Sequence, residues 1–218
     1  MTDQLAFLMS VLTSRNLLPG IVYGYSPAAK VLPTEHQGNV RHNGRVTRDA
    51  EPMADAERIA EIYNRYVLGD IATFELDEVG EAVMANRIAA VQSAGLPWIV
   101  ATDVLGVIGY AYASAFHERA AYSHTLSTSV YLDAASRGRG VGSALYRELL
   151  RRVALIDEPP HAPVHTLIAG IALPNEASVG LHESLGFRRV GTLEQAGRKF
   201  ERWIDVGYWQ KDLPPTEF

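Results

Sequence analysis

The stretch SVYLDAASRGRGVGSALYRELLRR runs from Ser129 to Arg152 and changes from a strand pattern to a helix pattern. At the change, Arg137, Gly138, Arg139, Gly140 and Gly142 fall within six residues. The spacing is not a dinucleotide fingerprint, which needs G-x-G-x-x-G; here the glycines run G-x-G-x-G. It is not a P-loop either, because Ser143 follows Gly142 with no lysine. The chemistry still favours an anion. Glycine lets backbone approach a ligand closely and take positive φ. Free N–H groups at a helix N-terminus, with the macrodipole behind them, attract negative charge. Two guanidinium groups add cations at the rim. From the residues alone, a pyrophosphate cradle and a plain Gly-rich helix start both stay open.

Other chemistry-bearing residues are scattered. NEASVGLHESLGF, Asn175 to Phe187, begins on a natural N-cap. It carries His182 on the apolar face of a short helix, where a histidine is either a proton carrier or a core residue. His124 and Ser127 lie in HTLSTSVYL, Phe74 and Glu75 in ATFELDE, and Arg119 in HERAAY. No cysteine occurs, which excludes disulfides, thiolate metal sites and a cysteine nucleophile. No metal is expected.

The elements that must position these residues read as a mixed α/β sheet in the order βααβββαβαββ. RVTRDA is a strand. MADAERIAEIYNRYVL is a helix with Ile59, Ile62, Tyr63 and Tyr66 on one face, and Asp55 or a neighbour caps its start. VGEAVMANRIAAVQSAG is a second helix. WIVATD and GVIGYAYASAF are apolar strands, and AYSHTLSTSVYLD is a long third one. GVGSALYRELLRRVAL is amphipathic through Val141, Leu145, Leu149 and Val153. HTLIAGIA, RRVGTLEQ and RWIDVGYWQKDL complete the strands. Residues 1–42 differ: after a candidate helix at 3–16 they are rich in Pro, Gly and Asn, and read as an extension or linker before a domain at 43–218. Asp3 is the only early charge, which disfavours a signal peptide. The formal net charge of −5 argues against a nucleic-acid partner. No segment reaches the length of a membrane span. The expected location is cytoplasmic.

Arg137-x-x-Gly140-x-Gly142 after the strand VYL resembles the acetyl-CoA motif R/Q-x-x-G-x-G/A of the GNAT N-acetyltransferases. NEASVGLHESLGF is similar to their N-x-x-S/A-x-x-L-Y-x-x-x-G-F segment, with His182 at the usual tyrosine position. GLHESLGFRRVGTLEQAGRK, WIDVGYWQKDL, IAEIYNRYVLGDIATFE and ERAAYSHT look like the phosphinothricin and methionine sulfoximine acetyltransferases, so that the resemblance covers about Val46 to Leu213.

The resemblance implies a GNAT fold with splayed central strands and pantetheine between them. Backbone groups of Val130, Tyr131 and Leu132 would pair with pantetheine. The segment Arg137, Gly138, Arg139, Gly140, Val141, Gly142 and Ser143 would hold the pyrophosphate, and Asn175 and Ser178 would stand near the pantetheine arm. An amine would attack acetyl-CoA directly, with His182 as acid toward the leaving thiolate. Ser127 stands where relatives often carry a glutamate base, which leaves His124, Glu75 or a water chain to take the proton. Arg119 would face a carboxylate or phosphinate, with Phe74 against the substrate chain. Lys199, Trp203 and Asp205 match the family's C-terminal hairpin, in which relatives carry a glycine after Lys199-x and this chain reads Phe200-Glu201. The expected activity is acetylation of the α-amine of a small amino-acid-like acid, with a homodimer as a further expectation. The alternatives are a polyamine or protein N-terminus as acceptor, or an acetyl-CoA sensor without catalysis.

Overall fold

The computed structural model describes residues 40–42 and 45–213, and the candidate helix at 3–16 lies outside them. The elements are β1 (Val40–His42), β2 (Arg45–Asp49), α1 (Pro52–Gly69), α2 (Glu81–Ser93), β3 (Trp98–Asp103), β4 (Gly106–Ala115), β5 (Thr125–Leu132), α3 (Val141–Val153), β6 (Thr166–Leu173), α4 (Glu176–Ser184), β7 (Arg188–Lys199) and β8 (Arg202–Asp212). They form one mixed sheet in the order β1-β2-β3-β4-β5-β6-β8-β7. Every neighbouring pair is antiparallel except β5 and β6.

Two differences from the sequence reading have local causes. Strand β1 falls inside the segment read as an extension, and it pairs with β2 from Val40↔Thr47 to His42↔Arg45. Strand β5 starts at Thr125, later than its β-branched pattern suggests. The preceding Ala120–Tyr122 close a 3-10 turn, with Tyr122 N–H donating to Arg119 C=O at 2.9 Å and Ser123 N–H to Ala120 C=O at 3.0 Å.

The helical periods place the core on both faces of the sheet. Ile59, Ile62, Tyr63, Tyr66 and Val67 of α1 and Met84 and Ile88 of α2 are buried on one face, against Trp98, Val100 and Tyr110. Val141, Leu145, Tyr146, Leu149 and Val153 of α3 fill the other, against Leu126, Leu167 and Trp209. Helix α1 starts at Pro52, which fits a first helical position. Asp55 closes that start from inside the first turn: its carboxylate accepts the Glu51 N–H at 2.8 Å and the Arg48 guanidinium at 2.6 Å. Among the described residues no helix is long and apolar enough to cross a membrane.

The feature that makes a site is a loss of pairing. β5 and β6 are joined only from Thr125↔Thr166 to Ser127↔Ile168. Beyond that point β5 stays with β4 as far as Leu132, and β6 stays with β8 as far as Leu173. The two central strands diverge into a V.

Candidate active site

The V encloses a cleft of about 520 Å³. Thr128 to Leu132 form one wall and Gly170 to Ala172 the other. The glycine turn, Tyr66, Asp70 and the inner face of α4 complete it. In an antiparallel pair successive residues turn their backbone groups to opposite sides. Asp133 N–H donates to Ile108 C=O at 2.9 Å, so Tyr131 and Ser129 also turn to β4, and Val130 and Leu132 turn toward the cleft. Leu132 is already engaged: its N–H donates to the Tyr66 hydroxyl at 3.0 Å and its C=O accepts from that hydroxyl at 2.8 Å. Of the three residues expected to pair with pantetheine, Val130 is the one whose backbone edge faces the cleft and is not claimed by β4 or Tyr66. Tyr131 contributes its ring, packed edge-on against Tyr63 and Tyr66 at 5.2 and 5.1 Å.

The glycine turn is built to expose amides. Gly138 and Gly140 take φ of 68° and 76°, left-handed values that cost an L side chain roughly 1–2 kcal/mol. The turn is anchored by Asp133, which accepts the Ala135 N–H at 2.9 Å and the guanidinium groups of Arg58 and Arg65 at 2.6 and 2.9 Å. Partial burial opposes ionisation of Asp133, but these donors outweigh it and hold its carboxyl below the usual range. Arg137 stands at the cleft mouth, 4.9 Å over the Tyr66 ring and 3.7 Å from Asp70. Gly142 sits between the open end of β5 and α4, since a Cβ there would lie 3.2 Å from Leu132 Cδ1 and 3.5 Å from Leu181 Cδ2. Ser143, Asn175 and Ser178 line the cleft. Asn175 is also the N-cap of α4, its Oδ1 accepting the Ser178 N–H at 3.0 Å.

Two residues of the segment do not bring their side chains to the cleft. Val141 is buried in the core, because helical periodicity turns it inward with Leu145, which leaves it only its backbone to offer. Arg139 is exposed; its guanidinium reaches back to Ala135 C=O at 3.4 Å and its own C=O accepts from Arg45 at 3.1 Å.

His182 lines the cleft and is buried. Its Nδ1 lies 2.7 Å from Ser178 C=O, a contact that requires Nδ1 to be the protonated nitrogen. Nε2 then carries a lone pair, and it finds no partner among the described residues. Burial lowers its pKa below the ordinary value, opposed by the Ser178 bond. A neutral imidazole with its one proton committed has none to give to a thiolate, so the expected acid role does not fit this geometry. The sign of the shift has a measurable consequence. The unfolded chain takes up a proton as pH falls through about 6.5, whereas folded His182 resists it. Stability from this group is complete above that pH and declines as pH drops toward the lowered folded value. Urea unfolding from pH 7 to pH 5 is expected to fall more steeply in wild type than in His182→Phe.

The opposite face of β5 carries Ser127, Ser129 and Tyr131, because Thr128 points to α3. Ser127 is the last residue paired to β6, at the apex of the V. On this face Glu75 accepts the Arg87 guanidinium at 2.8 and 3.2 Å and the Tyr63 hydroxyl at 3.1 Å. Phe74 packs over Gly197 of β7, where a Cβ would collide with its ring. His124 is exposed before β5, with its Nδ1 2.9 Å from Pro163 C=O. Arg119 is exposed in the β4–β5 connection, its N–H donating to His117 Nδ1 at 3.2 Å. Neither lines the cleft. Sequence reasoning missed Tyr66, Asp70, Thr128, Tyr146 and Lys199. In the sequence Tyr66 stands only in a helical apolar stripe, and Lys199 only in the stretch that resembles the family's hairpin.

A splayed β5/β6 pair with an amide-rich turn at the start of α3 defines an acyl-coenzyme A site. The chain matches the acetyltransferase (GNAT) domain over residues 50–207. It is 35% identical over 171 residues to a phosphinothricin N-acetyltransferase of Streptomyces coelicolor, covering 77% of this chain and 93% of that one. It is 36% identical over 173 residues to an L-methionine sulfoximine/L-methionine sulfone acetyltransferase of Pseudomonas paraeruginosa, covering 78% and 95%. The crystal structure of a phosphinothricin acetyltransferase from Sinorhizobium meliloti in complex with acetyl-CoA is similar with a TM-score of 0.71 and 40% identity, over 78% of this chain and 89% of that one. The chain belongs to the GNAT acetyltransferase family, and it is an N-acetyltransferase with acetyl-CoA as co-substrate.

Proposed function

We propose that the chain acetylates the α-amine of a small amino-acid-like acid, of the phosphinothricin and methionine sulfoximine kind, by direct attack on acetyl-CoA in a ternary complex. The carrying observation is the two-sidedness of β5. Thr128 to Leu132 and the glycine turn line the coenzyme cleft, whereas Ser127, outside that lining, stands on the face of β5 opposite α3, where the Tyr131 ring packs on Tyr63 and Tyr63 donates to the Glu75 carboxylate that Arg87 pairs. An amine entering from that second face meets a carboxylate held by Arg87 and Tyr63, which suits an ammonium group. Serine is no base at neutral pH, so Ser127 holds the water that takes the amine's proton to bulk. Arg119 faces the acid group of the acceptor, and Phe74 borders its chain. Backbone N–H of Val130, or of its neighbour, steadies the oxyanion. The names of the relatives support the acceptor class. The same reading takes the domain to begin near residue 43, and the enzyme to be a cytoplasmic homodimer.

The test is free thiol release from acetyl-CoA with phosphinothricin, methionine sulfoximine, polyamines and a peptide N-terminus. The expected result is turnover with the two amino-acid-like acids at a kcat/KM at least about a hundredfold above the other amines, in keeping with a site that pairs the acceptor's charged groups. Turnover favouring a polyamine or a peptide would replace the acceptor class.

A further inference from the structure

The apex of the V holds a pair of hydroxyls that the reaction, as described so far, does not use. Thr128 is the first β5 residue past the last rung shared with β6. It lines the cleft and is buried on the α3 side. Its Oγ1 lies 2.5 Å from the hydroxyl of Tyr146, itself fully buried. Its other neighbour is Ile168 C=O at 3.4 Å, the far limit of a hydrogen bond.

The protons can be assigned by accounting. Were Thr128 to donate to Tyr146, the Tyr146 proton would be buried with no acceptor among the described residues, a costly arrangement. With Tyr146 donating to Thr128, every proton is placed, and the Thr128 proton is held only by the long contact to Ile168. That proton is free to turn into the cleft. Burial raises the Tyr146 pKa, partly offset by Thr128, and so keeps it a donor. Its ring is fixed between His182 and Phe187, edge-on at 5.0 and 5.7 Å. His182 is no rival as donor, because its Nδ1 proton is committed to Ser178 C=O.

We propose that the Thr128 hydroxyl, oriented by Tyr146, donates a hydrogen bond to the coenzyme sulfur as it leaves. This rests on acetyl transfer at this cleft. The amine lone pair forms the C–N bond, and the C–S bond breaks with its electron pair on sulfur. The proton displaced from nitrogen goes to water, and the thiolate is later protonated from water. Thr128 keeps its proton throughout; its bond strengthens as sulfur becomes charged, and a charge-assisted bond is stronger than the neutral one. Thr128 is a catalytic residue in this account, and Tyr146 a positioning residue.

The test titrates the thiol of protein-bound CoA by its thiolate absorbance, which needs no acceptor and so reads this proposal separately from the choice of amine. Thr128→Val, which keeps the shape and loses the hydroxyl, is expected to raise the bound thiol's pKa by about one unit. With an acceptor that is turned over, it lowers kcat about tenfold and leaves the KM for acetyl-CoA within about twofold. Thr128→Ser restores both, and Tyr146→Phe gives a smaller rise in the same direction. A bound thiol that titrates identically in wild type and Thr128→Val overturns the proposal, whatever happens to turnover. An unshifted Tyr146→Phe beside a shifted Thr128→Val overturns the part assigned to Tyr146.

Discussion

A Gly140→Asp protein is expected to remain folded and to bind acetyl-CoA at least about a hundredfold more weakly, a loss of about 2.7 kcal/mol or more. Space is not the reason, since a Cβ at Gly140 would meet no atom within 4 Å. The left-handed φ of 76° costs a side chain something, but aspartate is among the residues that tolerate it best. The loss comes from charge. Residue 140 is the N-cap of α3, and a carboxylate there competes for the helix-start amides that would hold a pyrophosphate. It also sets a negative charge against the ligand's own. Gly140→Ala carries the backbone cost without the charge and should lose no more than about tenfold. Calorimetric titration with acetyl-CoA, paired with a thermal melt, separates the two effects. Equal affinity in wild type and Gly140→Asp would mean that the turn does not hold the phosphates.

The contrast between Gly140 and Thr128 shows what a sequence can carry. The backbone of the glycine turn is legible because it is local: a few residues, their φ preferences and one helix start are enough to expect exposed amides, while the choice between a phosphate cradle and a plain helix start comes from the family resemblance. The stripe Val141, Leu145, Leu149 and Val153 was legible for the same reason, since a helical period is local. Tyr66 was not. Its hydroxyl is set by Leu132, 66 positions away, and nothing near either residue announces the pairing. Thr128 and Tyr146 meet only because α3 folds back over β5. The choice among Val130, Tyr131 and Leu132 also required the register with β4, because one shift of register exchanges which backbone groups face the cleft. His182 is placed near the site by the resemblance of its segment to the family's, but its protonation state depends on Ser178 C=O and on burial.

Lys199 gives the largest expected effect on stability. Its side chain is buried, and its ammonium donates to Tyr66 C=O at 2.9 Å, Asp70 C=O at 2.7 Å and Thr73 C=O at 2.8 Å. Three protons meet three acceptors, and a cation at the end of α1 complements the helix dipole. Lys199→Met keeps length and bulk, so the cavity left is small. It removes three charge-assisted bonds of roughly 1.5–3 kcal/mol each, against the regained cost of burying the charge. The expected net loss is about 3 kcal/mol, measured by urea unfolding. The loss should reach the site as well. Lys199 fixes the C-terminal turn of α1, from which the Tyr66 hydroxyl holds Leu132, and the loop that carries Phe74 and Glu75. It is followed by Phe200 and Glu201 at φ of 49° and 59°, strained values that persist only where neighbours impose them. On the proposed reading, in which Phe74 and Glu75 border the acceptor side, a folded Lys199→Met enzyme should show a raised KM for the acceptor, and through Tyr66 and Asp70, which line the coenzyme cleft, a raised KM for acetyl-CoA as well. If unfolding free energy changed by less than about 1 kcal/mol, the three bonds would only offset the cost of burying the lysine. Positioning of the loop would then rest on Phe74 against Gly197 and on the Thr73–Tyr63 hydroxyl contact at 2.7 Å.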